Sequence, residues 1–359
     1  MMAPDRSAGF ARRAGLLGLA GMALPRQVQA QGSGVQGSGA QGAGAQASGA
    51  PGGASSGWPD RPVRLVVPFG AGGAIDTLSR TVANAFPGLA NGQTLVVENR
   101  GGAGGTIAGA VVAQARPDGA TLMMADLGAN AIGRELQPSL GYDPMRAFTA
   151  VCHLVNLPLV LVVPAALPVD DLAGFIALAK RQPDMVYAHP GIGYAGHLAQ
   201  ELMLRRTGTR MTPVPYRSGA EVVRSLLANE TQSSIITVST SLPFIREGKV
   251  KALAVCSRAR IALLPQVPTV VEALPESLAG FEATVWHGIL APAGLPAEIA
   301  TAANRLFNAA MRLPDVVRVV EQTQAGEVVG GTPEQFTAFI AAEHARWAPL
   351  IRAAGIRTE

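Results

Sequence analysis

The residues of this chain best placed to do chemistry are glycines. Three glycine-rich segments each follow an apolar, strand-like run and precede a helical one. They are Pro68-Phe69-Gly70-Ala71-Gly72-Gly73-Ala74-Ile75-Asp76, Asn99-Arg100-Gly101-Gly102-Ala103-Gly104-Gly105 and Pro190-Gly191-Ile192-Gly193-Tyr194-Ala195-Gly196-His197. A helix N-terminus carries unpaired N–H groups and the positive end of the helix dipole, so a glycine-lined approach to it suits an anion. The same glycines can instead serve only as tight turns. Gly191, Gly193 and Gly196 also complete a GxGxxG spacing, which suits a dinucleotide pyrophosphate. That fingerprint asks for an acidic residue about 20 positions on to hold the ribose. After the next strand the first acid is Glu221, and only Arg217 stands ready for a 2′-phosphate. An NADP-dependent enzyme using this loop is thus an alternative, although an exported chain would lack a cofactor pool.

Other catalytic arrangements are poorly represented. Gly53-Ala54-Ser55-Ser56-Gly57 is a formal GxSxG match, but a nucleophile elbow needs a strand before it and a helix after it, and the surrounding tract supplies neither. His153, His189, His197, His287 and His344 are scattered without an HExxH pattern. Cys152 and Cys256 lie in separate apolar runs with no CxxC spacing, which leaves both a disulfide and two separate buried thiols open. No catalytic residue, metal site or cofactor is expected.

Regular alternation of strands and helices positions the glycine loops. Residues 62–69 read as a buried strand, 74–86 as a helix with Ile75, Leu78, Val82 and Phe86 on one face, 94–98 as a strand, 105–115 as a helix and 121–125 as a strand. A helix over 129–136 follows. The apolar stretch 151–163 contains Pro158 and reads as too long for one strand. Helices over 170–181, 195–206, 219–228 and 241–247 then alternate with strands over 185–189, 212–215, 233–238 and 250–255. A strand over 284–291 precedes helices over 297–311 and 314–323. The closing helix opens on Thr332-Pro333-Glu334-Gln335, a capping box with Pro at the first helical position. Phe336, Phe339, Ile340, Trp347, Leu350 and Ile351 form its apolar face. Such alternation predicts an α/β fold with parallel-rich sheets flanked by helices, and ligands in sheets of this kind bind beyond the carboxyl ends of the strands. Breaks near Pro158 and in the Pro-rich segment 264–283 predict two lobes with a cleft between them. Residues 58–157 with 284–359 would form a discontinuous first lobe and 158–283 the second.

Composition narrows the class further. Charged residues make up 15% of the 359-residue chain, well below the roughly 25% of an average globular protein, which excludes a disordered polyelectrolyte. Arg6, Arg12, Arg13 and Arg26 against Asp5 alone place most of the formal net charge of +4 in the first thirty residues. The remainder lacks the dense basic face of a nucleic-acid binder. Those thirty residues have the three parts of a secretory signal: a basic start, the apolar run 14–24, and Val28-Gln29-Ala30 as a cleavage site. Residues 31–57 are a Gly/Ala/Ser/Gln tract expected to be a flexible tether. An exported, periplasmic protein cleaved near Ala30 is the expectation.

With the loops in place, the chain resembles the Bug-type periplasmic receptors of the tripartite tricarboxylate transporters. WPDRPVRLVVPFGAGGAID, VENRGGAGGTIAG, ARPDGATL, GYDP, VPYRSGAE, GKVKALAV, LPQVPTVVEA, WHGILAPAGLP and VGGTPEQFTAFIAAE match the family's motifs in order. The resemblance implies a two-lobed periplasmic-binding-protein-like fold of type II. It also implies capture of a small carboxylated solute by a monomer, for a membrane permease and without catalysis. The same receptor serving a membrane sensor is the alternative. By position it assigns the ligand site to Phe69, Gly70, Ala71, Gly72, Gly73 and Asp76 of the first loop. Leu127, Gly128, Ala129 and Asn130 come from the loop after the third strand, and Gly193, Tyr194, Ala195 and His197 from the second lobe. Asp76 is expected to brace its loop rather than touch ligand. The chain departs from the family in lacking prolines at Gly70-Ala71, Ser or Thr at residues 127–129, and Asp within 231–238. The missing acids weaken the case for a ligand with an ammonium group.

Overall fold

A computed structural model describes residues 57–358. The signal-like leader, almost all of the Gly/Ala/Ser/Gln tract and the first four residues of the GxSxG match lie outside the described residues.

The first unit is parallel. Strand β1 (Val63–Val67) leads through the first glycine loop into α1 (Ala74–Leu89), and β2 (Leu95–Asn99) pairs parallel beside β1. Helix α2 (Thr106–Ala113) returns the chain to β3 (Thr121–Ala125), parallel on the other side of β1. Helix α1 runs three residues past the expected end and contains Pro87. The expected helix over 129–136 is instead a π turn over Gly128–Ile132 followed by the short α3 (Gly133–Leu136). Side-chain bonds shape this start. Asp126 accepts from the amides of Gly128 and Ala129, while the Asn130 side chain accepts from the Asp126 amide.

The next strand corrects the expectation of a break at Pro158. β4 (Phe148–Pro164) is a single strand of 17 residues. Its first part pairs antiparallel with β9 (Thr284–Pro292), ending at Pro158 opposite Thr284. From Leu159 onward it pairs with β7 (Ser234–Thr237) and β8 (Val250–Val255). Proline offers no ladder donor, and here it stands where the strand changes partners. Between β4 and β9 lie α4 (Leu172–Arg181), β5 (Val186–His189), α5 (Ala195–Thr207), β6 (Thr212–Pro215), α6 (Gly219–Leu227), α7 (Val238–Arg246) and α8 (Val270–Ala273). β5 and β6 pair parallel.

Helix α9 (Ala297–Ala310) and α10 (Pro314–Arg318), with a π turn after it, precede β10 (Glu327–Val328) on the edge of β4. The sheet order is β10-β4-β9-β3-β1-β2. Antiparallel pairs through β4 and β9 outnumber the parallel ones, so the sheets are mixed rather than parallel-rich. The cause is connectivity: β4 carries the chain out of the first parallel unit and β9 brings it back, running antiparallel to both β3 and β4. Helix α11 (Pro333–Ala354) begins with the expected Thr332–Gln335 capping box. It buries Phe336, Ile340, Trp347 and Ile351, with Phe339 and Leu350 partly covered. Its buried Glu343 accepts from the indole N–H groups of both Trp286 and Trp347, each at 3.1 Å. Cys152 and Cys256 are free and buried.

Candidate functional site

The first glycine loop is held by a buried carboxylate. Asp76, 3% exposed, accepts from the Gly72 amide at 2.9 Å, Arg80 Nε at 3.0 Å and Asn99 Nδ2 at 2.9 Å. The Asn99 amide also donates to the Phe69 carbonyl. Burial alone would raise the Asp76 pKa, but the donated hydrogen bonds and the Arg80 charge outweigh it and hold the carboxyl below its ordinary value. Gly72 has φ +86°, a conformation that favours glycine. Helix α1 then starts from Gly73 with no side-chain cap. The Gly73, Ala74 and Ile75 amides have no acceptor among the described residues.

The loop after β5 is built on two stacked histidines. His189 and His197 lie with ring centroids 4.1 Å apart and planes 13° from parallel, both buried. Their Nδ1 atoms accept from the amides of Gly191 and Gly193. Burial, with the neighbouring His189, depresses the His197 pKa to about 3. This ring is neutral at any ordinary pH and acts as an acceptor that shapes the loop. Gly196 packs its backbone against the Ile235 carbonyl of β7, so the third glycine of GxGxxG serves helix–sheet contact. At Gly193 the side-chain direction is filled by Leu136.

A cavity of about 260 Å³ lies among these loops. Four helices bring their N-terminal residues to it: α1 with Gly73, Ala74 and Ile75, α5 with Tyr194 and Ala195, α6 with Ser218 and Gly219, and α7 with Thr237 and Thr240. The starts of α1, α5 and α7 carry no side-chain cap. At α6, Ser218 accepts from the Glu221 amide. Arg217 lines the cavity from an exposed position and makes no ion pair among the described residues. Asp126, Val285, Trp286 and His287 complete the lining on the β3–β9 side. His287 Nδ1 lies 3.2 Å from the Ala125 carbonyl. A carbonyl can only accept, so this nitrogen carries the proton and Nε2 is left as an acceptor.

Of the positions singled out in the sequence, Phe69, Gly70, Ala71 and Gly73 line the cavity, as do Leu127, Gly193, Tyr194 and Ala195. Gly72 and Asp76 stand behind as bracing. Gly128, Ala129 and Asn130 form the buried turn under Asp126, and His197 supports its loop from within. Sequence reasoning passed over Asp126, Ser218, Thr237, Thr240, Trp286 and His287, and weighed Arg217 only for a nucleotide. Strand ends next to the glycine loops were the available signal. Among the described residues no group of His, Cys, Asp and Glu is placed to hold a metal ion. No described helix is long and apolar enough to cross a membrane.

Residues 79–356 match the model of the tripartite tricarboxylate transporter family receptor. Protein BugT of Bordetella pertussis is 35% identical over 303 residues, covering 84% of this chain and 91% of BugT. A solved structure of R. palustris Rpa4515 with adipate superposes with a TM-score of 0.77 at 34% identity, covering 84% of this chain and 99% of that one. MatC (Rpa3494) of Rhodopseudomonas palustris with bound malate gives a TM-score of 0.74 at 31% identity, over 82% of this chain and all of MatC. The α/β architecture is therefore that of the periplasmic binding proteins.

Proposed function

The chain belongs to the tripartite tricarboxylate transporter receptor family, and on that premise we propose that its cavity captures a small carboxylated solute for a membrane permease, with no chemical step. Convergence of four helix N-termini, three of them uncapped, supports this reading most directly. Free amides and aligned dipoles stabilise a carboxylate where it is shielded from water, and Arg217 adds a full positive charge at an exposed edge. The adipate of Rpa4515 and the malate of MatC point to the same ligand class. Residues 58–157 with 284–359 form one lobe and 158–283 the other in this proposal. They close by a hinge motion about the point where β4 changes partners. The basic and apolar leader directs export, so capture takes place in the periplasm.

Thermal melting against mono-, di- and tricarboxylates, amino acids, NAD and NADP tests the proposal. A solute at 100 times its dissociation constant adds about 2.7 kcal/mol, enough to raise the midpoint by several degrees. A shift confined to carboxylates is expected, and a shift with dinucleotides alone would refute it.

A further inference from the structure

The cavity has a donor side and an acceptor side. Free amides and Arg217 face it from the glycine loops and from α6. On the β3–β9 side the titratable residues of the lining are Asp126 and His287, and neither an ionised carboxylate nor His287 Nε2 can donate a hydrogen bond. Asp126 is 7% exposed and lies in no ion pair among the described residues. It receives only the amides of Gly128 at 3.1 Å and Ala129 at 3.3 Å, which leaves lone pairs unused. A monocarboxylate is satisfied by the donor side. A dicarboxylate that reaches Asp126 meets a negative charge at a largely buried position.

Resting on the capture of carboxylates proposed above, we infer that a dicarboxylate enters together with one proton, taken from bulk water and held on Asp126, whose O–H then donates to the ligand's second carboxylate. The surrounding groups leave Asp126 as the site of that proton. Burial pushes its carboxyl up to about 7, against the opposing effect of the Ala129 and Gly128 amides. Burial holds His287 of β9 down to about 4, so it stays neutral. Tyr142, whose hydroxyl donates to the Ala129 carbonyl, and Tyr194 across the cavity both have raised pKa values through burial and stay protonated. His344 of α11 bonds to Ala131 outside the cavity lining.

Calorimetric titration of the unaltered protein with succinate and adipate, against butyrate as control, tests the inference. Buffers of different ionisation enthalpy give the proton count directly. Uptake of about one proton per dicarboxylate at pH 8 is expected, with none for butyrate. The dicarboxylate Kd should level off as pH falls to 6 and rise tenfold per unit above about 7, or about a hundredfold between pH 6 and pH 9. Asp126→Asn supplies a permanent donor of the same shape and should abolish both the proton uptake and the pH dependence. Binding without proton uptake, an unchanged pH profile in Asp126→Asn, or tighter binding of ammonium-bearing carboxylates as pH rises would overturn this inference alone. If no carboxylate binds at any pH, the capture reading falls and this inference with it. Should Asp126→Asn fail to fold, the proton count on the unaltered protein decides the matter.

Discussion

Replacing Asp76 with Ala tests whether the donor side of the cavity depends on a group outside its lining. The side chain accepts three hydrogen bonds, two of them from the partly buried Gly72 amide and Asn99 side chain. The third donor, Arg80, is half-exposed and recovers its solvation when the carboxylate is removed. Hydrogen bonds to a charged group contribute roughly 1.5–3 kcal/mol each, so discounting Arg80 leaves a loss of about 3 kcal/mol. For a chain of this size that lowers the melting midpoint by roughly 5 °C. Since the folded pKa lies below the unfolded one, the stabilisation is fully present above the unfolded carboxyl value. It disappears as pH falls through the folded value. Variant and unaltered protein should therefore differ most at pH 7 and converge in acid. Asp76→Asn keeps one acceptor oxygen and should lose about half as much. Loss of the brace frees Gly72 to leave its positive-φ conformation, which moves the α1 amides and should weaken carboxylate binding at least tenfold by calorimetry. A destabilised Asp76→Ala protein with unchanged Kd would refute the argument that the loop geometry makes the site.

Three further outcomes follow from the same geometry. Arg217→Ala should raise the Kd for carboxylates about tenfold and reduce its dependence on salt, because the guanidinium is the charged donor of the lining; titration at two ionic strengths reads both. Trp286 lines the cavity, so carboxylate binding should change the intrinsic fluorescence, and Trp286→Phe should remove that change while binding persists by calorimetry. Cys152 and Cys256 are buried, with the Cys152 thiol pushed up to about 12 by desolvation. Neither should react with a thiol reagent in the native protein, and both should react after unfolding in urea, with no reducing agent required.

Most of the alternation was legible because its strands and helices are bounded by Gly, Pro or a cap, as at Thr332. Pro158 misled for a physical reason. A proline inside an apolar run reads as an interruption, yet β4 changes partners there, and a missing donor costs little at a handover. β10 has two residues and no period to detect. The glycine loops announced the donor side of the site. The opposite side was hidden, since Trp286 and His287 sit in an apolar strand whose pattern only says that it is buried. Asp126 looks like any polar residue at a strand end. Its carboxyl has no ion-pair partner among the described residues, and a linear pattern carries no information about such a gap.

The glycines themselves have a second role that their spacing alone did not separate from the first. A Cβ on Gly128 would stand 2.5 Å from the Gly104 carbonyl, one on Gly104 would touch the Ile192 carbonyl at 3.4 Å, and one on Gly193 would run into Leu136. Three loops from different parts of the chain thus lean on one another through positions without side chains. Anion recognition by amides needs the backbone to approach the ligand, and enclosure of the cavity needs the backbones to approach each other. Glycine meets both needs at once, which explains why the loops are rich in it even at positions outside the lining of this cavity. Had ligand approach been the only demand, Gly104 and Gly128 would tolerate alanine. At Gly128 the 2.5 Å approach rules alanine out and at Gly104 the φ of +61° disfavours it, although neither residue lines the cavity.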